Sequence, residues 1–228
     1  MADGEVPAGK VNTTEDIMTE LKARIHGGRY SFGQRLIEMD LAAEFGAGRG
    51  RIREAFRMLV GEGYLEFVAN RGVLVRRYTR EEMIAIGRVR EVLEGLAARL
   101  AAENRPEGNA RKALEASQER MDAAEEAGDL DLFNLENRVF HSLIEDLAGN
   151  DLAGTFIERV RTPLVRLQLP RSFAVDSMTR SNLDHRTITM AIISGSPDAA
   201  EAAMRAHVRA GNEHIASLPD EVFQDAGV

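Results

Sequence analysis

The chain has 228 residues, 44% hydrophobic, 29% charged and only 5% aromatic, with a formal net charge of −8. It contains no cysteine, which excludes disulfides, thiolate metal sites and a cysteine nucleophile. No apolar run approaches the ~20 residues that span a bilayer, and the start, MADGEVPAGK, is polar and slightly acidic, unlike a signal peptide; a cytoplasmic protein with no membrane partner is expected.

Charge is unevenly placed, with a net of +2 over residues 11–78 and −9 over residues 79–228. That asymmetry suggests two domains with different partners. Residues 1–12 read as a tail. From Thr13, TTEDIMTELKARIHGG has a hydroxyl cap, acids in its first turn, Ile17, Leu21 and Ile25 at helical spacing, and a Gly-Gly stop. YSFGQRLIEM reads as a loop with a short apolar centre, and DLAAEFG as a short helix ended by Gly46. A third helix is expected over residues 49–62, with Ile52, Ala55, Phe56 and Leu59 on one face. Two β-rich runs then flank Asn70-Arg71-Gly72 and predict a hairpin. Three helices and a hairpin over residues 13–78 make a winged helix-turn-helix.

Residues 79–218 have a different character. Helices are expected over 80–103, 110–127, 130–148, 152–168 (bent at Pro163 and closed by Pro170), 177–194 and 198–217, with a tail over 219–228. The first places Ile84, Val89, Val92, Leu93, Leu96 and Leu100 on an apolar stripe. The fold class predicted is mostly α: an N-terminal winged helix-turn-helix followed by an all-α bundle of about six helices.

Positive charge concentrates where the third helix begins. In GRGRIREAF and the Arg57 that follows it, four arginines and one glutamate fall within residues 49–57. An arginine fork donates two hydrogen bonds to guanine, or pairs with phosphate. Arg49 and Arg53 are four apart and share one helix face, away from Ile52, Ala55 and Phe56. Gly48 and Gly50 weaken the helix but permit close approach of the backbone to phosphate. At the head of a third helix, this pattern points to DNA, with Arg51 adding charge and wing Arg71 a further candidate contact. Taken alone, it is also what a solvated basic helix face looks like.

The acidic half holds four of the five histidines. His26, at the end of the first helix, reads as structural and favourable to the helix dipole. Asn137 and His141 are four apart on one helix, and His185 and His207 come from two later ones. Three imidazoles converging in a bundle would suit Zn²⁺, Ni²⁺ or a similar divalent ion, although helix histidines are more often satisfied core or surface residues. His214 reads as peripheral.

The segment IHGGRYSFGQRLIEMDLAAEF…RIREAF…EGYLEF…NRGVLV resembles the DNA-binding half of GntR-type bacterial transcriptional regulators. RVREVLEGLAARLAA, FNLENRVFHSLIEDLAGN and DHRTITMAIISGSPDAAEAAMRAHV resemble the FCD effector domain of the FadR-type branch. The resemblance implies a homodimeric, ligand-responsive regulator of a palindromic operator, a repressor more often than an activator. By position it makes Arg49 and Arg53 base or phosphate contacts and puts Gly72 in the wing. The family's usual Ser-Arg-Thr-Pro stands here as Gly48-Arg49-Gly50-Arg51, which removes two hydroxyls and a helix cap. FCD domains commonly hold a metal through an Asp or Asn four residues before a first His, plus two later histidines. The matching positions are Asn137, His141, His185 and His207, with zinc expected and nickel or manganese as alternatives. A positive centre would seat a small carboxylate effector, for which Arg90, Arg161 and Arg166 are candidate partners. Two other readings stay open: a metal-free dimerisation module and a metal-dependent enzyme. Against the enzyme, the chain has no His-Glu base pair on a helix, no phosphate loop and no nucleophile motif.

Overall fold

Local signals explain most of the elements. The computed structural model describes residues 13–161, 168–169 and 171–223, without the side chains of 171–176. Helix α1 (Thr14–His26) opens on a reciprocal cap: Asp16 N–H donates to Thr13 Oγ1 and Thr13 N–H to Asp16 Oδ2, each at 3.0 Å. It buries Ile17, Met18, Leu21 and Ile25 and packs on α3 (Arg49–Gly61), which buries Ile52, Ala55, Phe56 and Leu59. Between them lies α2 (Glu38–Phe45), ended by Gly46 at φ 61°.

The wing is β2 (Leu65–Val68) against β3 (Gly72–Val75), with the turn carried by Asn70 at φ 63° and Gly72 at φ 85°. Asparagine and glycine tolerate that left-handed region at least cost. The sheet also has a third strand where a loop was expected: β1 (Arg35–Leu36) pairs antiparallel with β3, giving the order β1-β3-β2. Two residues are too short to display an alternating pattern, and only the pairing with β3 makes them a strand.

The chain divides into two compact units, one built on residues up to Tyr78, the other running from Thr79 to Arg161 and resuming at Leu169. The second unit is entirely helical among the described residues: α4 (Arg80–Glu103), α5 (Gly108–Ala127), α6 (Leu130–Ala148), α7 (Asp151–Val160), α8 (Arg171–Ile193) and α9 (Pro197–Ser217), then a 3-10 turn at Asp220–Val222. α7 is shorter than the expected 152–168, ending at Val160, and Pro163, Arg166 and Pro170 lie outside the described residues. α8 begins at Arg171, earlier than expected. The core is formed by Leu114, Met121, Phe133, Phe140, Ile144, Ile157, Ile188, Ile192 and Met204, each at most 1% exposed.

The long helix α4 corrects the sequence-based expectation. Its buried face is made of Met83, Gly87, Glu94, Gly95, Ala97, Ala98, Ala101 and Ala102. Of the expected apolar stripe, Val89, Val92 and Leu96 are 48%, 55% and 38% exposed. Closeness to α9 is the reason. A Cβ on Gly87 would lie 2.3 Å from Asn212, and one on Gly95 would lie 2.5 Å from Arg205. A side chain at either crossing would have to displace Asn212 or Arg205, so glycine and alanine hold most of this face; of the expected stripe, Leu93 and Leu100 do pack against the core, while Val89, Val92 and Leu96 face outward.

α4 and α9 are also joined by polar contacts along their length. Arg80 donates to the Ala216 carbonyl and to Asp220, each at 2.5 Å. Asn212 Nδ2 donates to the Ile84 carbonyl at 3.2 Å. Glu91 accepts from Arg205 at 3.4 Å and from Arg209 at 2.5 Å. Arg99 pairs with Asp198 and Glu201, at 2.6 and 3.2 Å.

Candidate DNA-reading surface and candidate metal centre

α3 presents Arg49, Arg51, Arg53 and Arg57 on its solvent side and its apolar residues on the core side. Gly48 is the N-cap and supplies no side-chain hydrogen bond; its carbonyl accepts from Arg51 N–H at 3.0 Å, and the N–H groups of Arg49 and Gly50 before it have no side-chain cap. The arginines are not equivalent. Arg53 is forked onto Glu38 of α2, Nη2 at 2.8 Å and Nε at 3.3 Å. Arg57 reaches Glu54 at 3.4 Å. Arg49 is exposed and pairs with no described acid. In the wing, Arg71 is exposed at the turn beside Gly72. The side chain of Arg35 on β1 lies alongside, its Nε 3.6 Å from where a Cβ on Gly72 would stand. Arg35 was not singled out from sequence, because β1 gave no strand signal.

The helical unit brings together three of its histidines. One ring nitrogen each from His141 on α6, His185 on α8 and His207 on α9 lies within 4.8 Å of the others, with His141 and His185 buried and His207 nearly so. Ring centroids are 5.6 Å apart for His141 and His185, 5.4 Å for His141 and His207, and 4.6 Å for His185 and His207. Phe140, fully buried, packs on His185 at 4.7 Å and edge-on to His141 at 5.7 Å. Asn137 is 8% exposed and sits one turn before His141 on the same face of α6. His214 is not among the clustered histidines, and His26 has its Nδ1 2.7 Å from the Lys22 carbonyl on α1.

Two carboxylates missed from sequence stand behind the rings. Glu94 of α4, 2% exposed, has Oε2 at 2.9 Å from His141 Nδ1. Its Oε1 accepts from Arg90 Nε at 2.7 Å. Asp184 has Oδ2 at 3.4 Å from His207 Nδ1. Glu94 is the one charge on the buried face of α4, which is otherwise methionine, glycine and alanine. Asp184 adjoins His185 in sequence yet serves His207, which no spacing shows. Burial pushes His141 down to about 4, against the pull of Glu94, so its ring is neutral at neutral pH and able to ligate. Burial acts to raise Glu94, but Arg90, His141 and Arg161 outweigh it and hold the carboxyl well below the usual range.

Of the arginines considered for an effector, Arg90 is held by Glu94, while Arg161 contacts Glu145 and lies 3.9 Å from Glu158; Arg166 lies outside the described residues. The register of α8 is set by a buried polar network. Asn182, fully buried, accepts from Gln118 at 2.8 Å and donates to Asp122 at 2.9 Å and Glu125 at 2.5 Å. His185 follows three residues later.

The donor set fits a divalent ion. Imidazole suits zinc and nickel, and nitrogens ~2.1 Å from such an ion lie about 3.4 Å apart in a tetrahedron, so side-chain rotations that draw in the nitrogens close the cluster. With carboxylates at Nδ1 of His141 and His207, Nε2 is the nitrogen left to each ring for a metal.

Comparison with known proteins agrees with both halves. Residues 13–75 match "Bacterial regulatory proteins, gntR family", and residues 85–210 match the FCD domain. The chain is 30% identical over 203 residues to the "Probable D-xylose utilization operon transcriptional repressor" of Paenarthrobacter nicotinovorans, covering 88% of this chain and 85% of that one. It is 25% identical over 189 residues to the transcriptional repressor RspR of Escherichia coli, covering 83% and 82%. Its fold is that of a GntR regulator from Rhodococcus sp. RHA1 (TM-score 0.73, 21% identity, 90% and 98% covered) and of McbR/YncC from E. coli (TM-score 0.67, 22% identity, 89% and 96% covered). A winged helix-turn-helix followed by an FCD domain, in a chain whose relatives are transcriptional regulators, makes this protein a member of the GntR family of DNA-binding transcriptional regulators, in its FadR-type, FCD-containing branch.

Proposed function

We propose that this regulator is a repressor that binds a palindromic operator as a homodimer and releases or tightens its grip when a small organic acid reaches a divalent metal held by Asn137, His141, His185 and His207. One observation carries the reading: three imidazole nitrogens within 4.8 Å inside the helical unit, in a chain that begins with a DNA reader.

On the DNA side, Arg49 and Arg53 meet base edges or phosphates, and Arg51, Gly48 and Gly50 lie where the uncapped start of α3 meets the backbone. Arg71 and Gly72, joined by Arg35, serve the flank. On the sensing side, the metal supplies a fixed positive charge for a carboxylate. Asn137 brings an oxygen but no negative charge, leaving the centre more positive than an aspartate would. Arg90 is one candidate to share the effector, and the acid would compete with Glu94 for it. Arg161 has a similar rivalry with Glu145. Pairing of copies is supported by Val89, Val92 and Leu96, which stand outward on α4 at spacings of three and four residues, with Leu152 and Phe156 outward on α7.

Signal transmission would use α4, which contacts His141 through Glu94 and is joined by polar contacts to α9, the helix of His207. A ligand shifts operator affinity only by its differential binding to two arrangements, typically ~1–3 kcal/mol.

The test is a thermal-shift screen of the full chain against small carboxylic acids, with D-xylose and sugar acids included because of the Paenarthrobacter relative, each with and without chelator. Ligand at 100 times Kd stabilises by ~2.7 kcal/mol. A shift for one acid that disappears on chelation supports the reading. A flat panel, with no effect of chelator on the protein itself, favours a metal-free dimerisation module instead.

A further inference from the structure

We infer that Glu94 is the positioning residue of the histidine centre: from behind His141 it turns Nε2 toward the metal position, and it supplies the negative charge that Asn137 does not bring. The inference rests on the metal reading above and assigns a residue to it that lies on another helix from every ligand.

The argument starts with charge. A centre of three neutral imidazoles and an amide oxygen would leave a divalent ion uncompensated inside a bundle, where unpaired charge is costly. Glu94 is a buried acid that touches a clustered ring, at 2.9 Å from His141 Nδ1 and 2% exposed. The negative charge of a carboxylate at that distance favours the proton on Nδ1, although the contact is not aligned as a hydrogen bond, so the lone pair sits on Nε2. Arg90, at 2.7 Å on the other oxygen, fixes the carboxylate in place from the preceding turn of the same helix. Side chains of α9 press on α4 at Gly87 and at Gly95, the residue next to Glu94, which holds this stretch of α4 close against its neighbour. Asp184 plays a weaker version of this part at His207, being 3.4 Å away and 32% exposed.

The test uses the full-length protein with Zn²⁺ as probe, titrated against a competing chelator, and with the metal-free protein observed through ¹⁵N shifts of its imidazoles. Glu94→Gln keeps shape and removes charge. It should weaken zinc by ten- to a hundredfold and take His141 away from a predominantly Nδ1–H form, because the amide N–H₂ now competes to donate to the ring. Asp184→Asn should cost less. Arg90→Gln removes a cation while keeping the carboxylate, and should bind zinc at least as tightly as the parent. Parent-like zinc affinity and His141 tautomer in Glu94→Gln would overturn the inference. So would an equal loss in Arg90→Gln, which would mean that the cluster serves only packing. If the parent itself takes up no zinc, the metal reading fails first and removes the charge-supplying part with it. The tautomer of His141 in the metal-free parent then decides the orienting part by itself.

Discussion

The two units handle charge in opposite ways. In the winged unit, the arginines of α3 stand in solvent and their acidic partners are exposed or half-buried, as with Arg53 and Glu38 at 59% and 29% exposure. In the helical unit, the charged and polar groups that matter are enclosed: Glu94 at 2%, His141 at 6%, and His185 and Asn182 at 0%. Exposed charge acts through a screened field and tolerates imprecise placement, which suits a surface that must meet a polyanion. Buried charge acts through fixed geometry and fails when a partner is removed. The first arrangement is cheap to alter by mutation, and the second is not.

Four experiments sharpen that comparison, from the largest effect to the smallest. Phe140→Ala empties a fully buried site between two of the histidine rings and should cost about 3–5 kcal/mol. Calorimetry should show the melting of the helical unit move down while that of the winged unit stays. A shared shift would mean that the two units do not differ as described. Next, His141→Ala removes a ring rather than its support, so zinc affinity should fall by more than the ~100-fold typical of losing a supporting group. Operator binding without effector should keep its affinity and salt slope. A changed slope would link the buried centre to the DNA surface even in the absence of ligand.

Arg49→Ala tests the exposed side. Operator titrations against single-base variants should show discrimination at one base pair relaxed by ~1–3 kcal/mol, with zinc binding untouched. A uniform loss across all variants, with the salt slope reduced by about one, would make Arg49 a phosphate contact. The smallest effect belongs to Glu91, whose hydrogen bond from Arg209 holds its carboxyl below the usual range. A depressed folded-state value adds stability above the unfolded carboxylate range near ~4.3, and that stability is lost as pH falls through the lower folded value. Glu91→Gln should therefore destabilise by below about 1 kcal/mol at pH 7, with the difference from the parent closing in acid melts. A difference independent of pH would assign the effect to packing of α4 on α9.

Much of the architecture was legible in advance, because its signals are local. Thr13 and Asp16 announce the start of α1, the Gly-Gly pair its end, and Asn70-Arg71-Gly72 the turn of the wing. The histidines that cluster were likewise identified from motif positions. The strand β1 was not legible, since two residues carry no period. The outward direction of Val89, Val92 and Leu96 was not legible either. An apolar stripe on a helix says that a face is to be covered, not by which partner, and here glycine and alanine hold the face that α9 covers.

What the sequence by itself determined is the mostly helical class, the winged helix-turn-helix with arginines at the head of its third helix, and the residue types available to a metal. Those follow from spacing of three, four and two, from caps, and from the absence of cysteine. What only the tertiary structure decided is which acids meet which groups: Glu94 at His141, Asp184 at His207, Glu38 at Arg53. These pairs are separated by tens of residues or lie on different helices. Their meeting depends on how α4 packs on α6, α8 on α9 and α2 on α3, which cannot be read from any one helix alone.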